Sequence, residues 1–233
     1  MSVTQKLLAA ITVIVALAVP AGVLTANGQN HILAPEVGGA RYRVVAADAD
    51  SAGARRLPAS VEAATFSFAP GTDPVSRAAV LRAVADASPA AQRLIGIVDG
   101  LVTVRVGPTG APGAIGLTTL RDPGYDVTVD LGPVSERYGQ RGIDRVVLHE
   151  LGHVIDHAII PAALDKQLAA GIPAGYGCDQ GLSGACATAD ERFAESFAKW
   201  AVGDIGLDLN IGYKVMPPEP SLAAWGAPLE RLG

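Results

Sequence analysis

The stretch VVLHELGHVID, residues 146–156, decides how this chain is read. It holds His149-Glu150-Leu151-Gly152-His153, an HExxH sequence. On an α-helix, residues four apart are offset by roughly 40° and about 6 Å along the axis, so two imidazoles at that spacing can converge on one ion. Glu150 lies near the same face and is placed to act as general base on a water activated by the metal. Val146, Val147, Leu148, Leu151, Val154 and Ile155 surround these polar residues. The spacing therefore predicts a mostly buried helix, from about Ile143 to His157, with Pro161 beyond its end. Two histidines and a glutamate inside such a helix are costly to desolvate unless a metal satisfies them.

Two imidazoles leave a catalytic zinc short of its usual three protein ligands. His157 is on the same helix, about 12 Å from His149 along the axis, too far for one straight helix to deliver. The HExxHxxGxxH pattern would need histidine at position 159, which is Ile159. A carboxylate from another helix remains. TADERFAESFAKWAVGD, residues 188–204, is amphipathic, with Phe193, Phe197, Trp200 and Ala201 on its apolar side. Glu191 and Glu195 share one face of it. Glu191 is the expected third ligand, and Glu195, one turn on, is placed to hydrogen-bond the far ring nitrogen of a ligand histidine. Two other readings stay open: Thr188 to Glu191 is also a capping-box pattern, and Glu195 could ligate or simply face solvent. Asp156, seven residues after His149, is expected to be structural.

Outward from the two motifs, the order is strands and then helices, an α+β domain. RYRVVAAD at 41–48 and VEAATFSF at 61–68 read as strands. Asp73-Pro74 and Ser88-Pro89 each open a helix, with the polar residue as N-cap and proline in the first turn. LVTVRV at 101–106 and YDVTVDLG at 125–132 are β-rich strands, and GPTGAPGAIG between them reads as a loop. PAALDKQLAAG is a short helix closed by Gly171. The tail from residue 210 is expected to wrap the surface.

HELGHVID at 149–156 and ERFAESFA at 191–198 together resemble the gluzincin metallopeptidases, in particular the minimal zincins of the branch that contains the anthrax lethal factor catalytic domain. The likeness covers roughly residues 125–202. It implies a zincin-like fold: a small twisted sheet with an edge strand over the cleft, an HExxH active-site helix and a C-terminal glutamate helix. It implies one Zn²⁺ held by His149, His153 and Glu191, with Glu150 as base and a peptide or protein as substrate. YDVTVDLG would be the edge strand along which an extended substrate lies. In that family a tyrosine shortly before the ligand glutamate assists the oxyanion. The matching position here is Gly184, and Tyr176 is the nearest upstream candidate.

The chain has 233 residues and a formal net charge of −5, which argues against nucleic acid as a partner. Lys6 precedes an uncharged apolar run over residues 7–26, the pattern of a secretory signal. At about 20 residues the run also suits an uncleaved anchor that would associate the chain with a membrane. Residues 1–26 are thus read as signal or anchor, 27–60 as a lead-in, and 61–233 as the metallopeptidase domain, secreted or otherwise outside the cytoplasm. In that compartment Cys178 and Cys186 are expected to form a disulfide. Two readings compete with the peptidase: a noncatalytic zinc-binding module acting through protein contacts, and a zinc hydrolase of non-peptide substrates.

Overall fold

In the computed structural model of the chain, residues 12–16, 66–173, 187–209, 211 and 215–232 are described. Among them, strands and helices combine into a mixed α+β arrangement. The strands are β1 (Thr12–Ala16), β2 (Ser67–Phe68), β3 (Val102–Val106), β4 (Ala114–Arg121) and β5 (Gly124–Val129). The helices are α1 (Pro74–Asp86), α2 (Pro89–Val98), α3 (Leu131–Ile159), α4 (Ala162–Ala170), α5 (Ala189–Val202) and α6 (Leu222–Gly226).

The strands form one small sheet in the order β1-β4-β5-β3-β2. β2, β3 and β5 run parallel, and β4 is antiparallel to β5, with Thr118 opposite Val127. β1 lies on the outer side of β4, antiparallel, with Thr12 opposite Thr119. Thr12–Ala16 falls within the apolar run of residues 7–26. No helix of the described residues is long and apolar enough to cross a membrane.

Local signals set the first helices as expected. The Asp73 carboxylate accepts from the backbone N–H of Val75 and Ser76, and the Ser88 hydroxyl accepts from that of Ala91. Each occupies donors that the first helical turn leaves unpaired. Val84, Leu94, Ile95 and Val98 from these helices, Val104, Val127 and Val129 from the sheet, and Leu148, Leu151 and Ile155 from α3 form one core.

Four expectations change. Residues 114–121 form β4, although part of this stretch reads as a loop; Pro112, Gly113 and Gly116 mask the β-rich AIGLTTLR. It follows that YDVTVDLG is not the edge strand. β5 sits between β4 and β3, and the edges of the sheet are β1 and β2. The HExxH helix is longer than predicted because a helical segment from Leu131 precedes it, joined across a kink at Gly139 (φ 60°, ψ −148°). The tail does not merely wrap the surface, since Trp225 and Leu229 are buried in the core and the Trp225 indole N–H donates to the Leu168 carbonyl. Of the strand expected at 61–68 only Ser67–Phe68 is described, and the strand expected at 41–48 lies outside the described residues.

Candidate metal centre

The second half of α3 is buried from Ile143 through Ile155, apart from half-buried Asp144. That burial carries His149 (2% exposed), Glu150 (0%) and His153 (0%) into the interior. α5 packs across this helix at Gly152. A Cβ at Gly152 would sit 3.0 Å from Ala194 Cα and 3.3 Å from the Ala194 carbonyl oxygen, so the two backbones approach as closely as glycine permits. The first turn of α5 then delivers Glu191, 3% exposed, to the two histidines.

His149 Nε2 lies 3.1 Å from Glu191 Oε2 and 3.1 Å from His153 Nε2, and His153 Nε2 lies 3.8 Å from Glu191 Oε2. Donors bound tetrahedrally to zinc at about 2.1 Å stand roughly 3.4 Å apart. The three atoms therefore already have the spacing of a zinc ligand set, and two imidazole nitrogens with one carboxylate oxygen have its chemistry. The capping-box reading of Glu191 fails, because the Thr188 side chain makes no capping hydrogen bond.

Burial is the largest single influence on each of these groups, although it does not set the direction for all of them. Together with the nearby charge on His149 it holds His153 neutral, well below the usual histidine range. Burial also opposes charge on His149, but hydrogen bonds to Glu191 and Glu195 outweigh it and raise that pKa to about 10. Glu191 is pushed upward by burial, against the pull of His149. Glu195 Oε2 lies 3.2 Å from His149 Nδ1. Burial would raise Glu195, yet Arg145, His149 and Lys199 together bring it down to about 2. The solvent-facing reading of Glu195 is thus overturned, and the ligand reading is not supported: it pairs with the far ring nitrogen of His149. His153 Nδ1 is buried without a hydrogen-bond partner among the described residues.

Glu150 stands outside the ligand set and faces β4. Its Oε2 accepts a 2.7 Å hydrogen bond from the Thr118 hydroxyl. Its Oε1 is buried with no partner among the described residues. A Cβ at Gly116 would fall 2.0 Å from that oxygen, so only glycine leaves the carboxylate its place. Burial raises Glu150 to about 7.

His157 is exposed near the end of α3, and Asp156 is half-buried beside it, raised to about 7 by burial and by Asp165 and Asp190. Tyr176, Cys178, Gly184 and Cys186 lie outside the described residues. Gly116, Thr118, Arg145 and Lys199 also belong to this region, and no sequence motif announces them. No family model, curated protein or solved structure matches the chain.

Proposed function

We propose that the protein is an exported zinc-dependent peptidase of gluzincin type. The observation that carries this reading is the buried trio His149, His153 and Glu191, supplied by two helices, with a carboxylic acid beside it that does not ligate. His149, His153 and Glu191 would hold the ion. Zinc in a set of three protein ligands supplies Lewis acidity, acidifying water and polarising a carbonyl. Glu150 takes a proton from the attacking water and later delivers it to the leaving amine. A base with a pKa near the working pH suits both transfers. Thr118 keeps one oxygen of Glu150 fixed while the other remains free to accept that proton.

β4 supports peptide as the substrate class. It is antiparallel to β5 and carries Gly116 and Thr118 against Glu150, so a chain lying extended along it would pass the base. In the full chain, Thr12–Ala16 holds the outer edge of β4. An activity assay therefore belongs on a chain beginning at residue 27, past the apolar run.

That chain is expected to carry about one zinc and to cleave members of a peptide library. Glu150→Gln keeps size and fold and is expected to retain the zinc while lowering hydrolysis by about two orders of magnitude or more. Equal activity of the two proteins on a substrate the wild type cleaves would overturn the mechanism.

A further inference from the structure

Besides the three candidate ligands and Glu150, the centre of the molecule buries Arg145 (3% exposed), Glu195 (5%) and Lys199 (2%). Arg145 is one turn before His149 on α3, and Lys199 one turn after Glu195 on α5. Glu195 divides its two oxygens. Oε2 lies 3.2 Å from His149 Nδ1, and Oε1 lies 3.4 Å from both Arg145 Nε and Lys199 Nζ. Both cations also donate to backbone carbonyls. Arg145 donates to those of Asp204 and Ile205, at 3.3 and 2.8 Å, and Lys199 donates to that of Val215.

The segment carrying the first two carbonyls is shaped for this contact. Gly206 adopts φ +58°, and a Cβ there would fall 2.3 Å from Arg145 Nη2. Arg141 pairs with Asp204 and Asp208 and pins the same segment to α3. Apolar side chains of similar volume would fill this space at lower desolvation cost. What the charges add is direction: two cations on one oxygen leave the other facing His149. A carboxylate without them would be free to turn about its last torsion.

Resting on the reading of His149, His153 and Glu191 as metal ligands, we propose that Arg145 and Lys199 are positioning residues of the metal centre. They clamp Glu195 so that it accepts the His149 Nδ1–H, which fixes the tautomer whose Nε2 lone pair faces Glu191 and His153. His153 has no such orienting partner among the described residues.

The test uses the full chain and zinc affinity by competition with a chromophoric chelator. Arg145→Met and Lys199→Met are each expected to weaken zinc about 10–100-fold, the usual cost of losing a group that orients a ligand. Arg145→Lys is expected to recover part of the loss. In a Glu195→Gln background the two Met substitutions are expected to cost almost nothing more, because the group they hold is already altered. A merely structural role would give additive losses and no such masking. Wild-type affinity in both Met variants, or full additivity with Glu195→Gln, overturns the clamp. If the Met variants do not fold, Arg145→Lys decides: it is expected to weaken zinc in the wild-type background and to cost almost nothing in Glu195→Gln, and equal losses in the two backgrounds refute the proposal. Failure of the underlying reading looks different, since wild type would then bind no zinc or would bind it equally well after His153→Ala.

Discussion

At the scale of single residues, burial governs what each group in the site does. His149 and Glu150 are neighbours in sequence, both wholly or almost wholly buried, yet they meet different partners. His149 faces two carboxylates; Glu150 faces one hydroxyl and one unpartnered direction. The Thr118 hydrogen bond favours ionised Glu150 and opposes the upward push of burial. Thr118→Val removes the donor and keeps the shape, so Glu150 is expected to hold its proton to higher pH. The acidic limb of the kcat/KM profile should move upward, with a larger loss of activity at pH 6 than at pH 8. A profile lowered uniformly, or not moved at all, would mean that Thr118 does not tune the base. The residues of the candidate trio were legible in the sequence because HExxH and the Glu191/Glu195 spacing are each periodic within one helix. Thr118, 32 residues from Glu150, and Arg145, 50 residues from Glu195, were not, because only tertiary packing brings them together.

Elements differ in legibility for the same reason. α1 and α2 follow from caps a few residues long, and α4 ends at the expected glycine. β4 does not stand out, because the glycine that makes room for Glu150 also weakens the strand pattern. At α3 the periodicity located the buried segment well, but a kink at Gly139 lets a further helical stretch precede it. The crossing of α3 and α5 is the joint on which the site depends. Phe193 and Phe197 pack beside it, and Gly152 sets how near Glu191 can come. Gly152→Val puts a branched side chain where even a Cβ is tight. The expected result is a loss of about 1–3 kcal/mol by overpacking, with weaker zinc binding as α5 is pushed outward. Denaturant unfolding and chelator competition check the two effects. A stable variant with unchanged affinity would show that the crossing tolerates greater separation.

For the whole molecule, the candidate ligands join parts of the chain that are far apart in sequence. His149 and His153 belong to α3 and Glu191 to α5, so an ion held by all three would link two helices of one core. In the metal-free chain a proton partly substitutes for that link. The His149 pKa is raised to about 10 from an ordinary value near 6.5, so the stability contributed by its charged form is complete below pH 6.5 and is lost progressively as the pH rises toward 10. Zinc requires the neutral imidazole and must displace that proton, and it also needs Glu191 ionised against the upward push of burial. Metal binding is therefore expected to release protons, and its stabilising effect is expected to shrink as the pH falls. At a free zinc concentration a thousandfold above Kd the added stability is about 4 kcal/mol. Thermal unfolding with and without a strong chelator, at pH 8 and pH 5.5, measures this directly. The chelator should lower Tm markedly at pH 8 and much less at pH 5.5, and His153→Ala should show little chelator effect at either pH. A chelator effect that is absent in wild type, or that persists undiminished in His153→Ala, would mean that this trio is not where the metal binds.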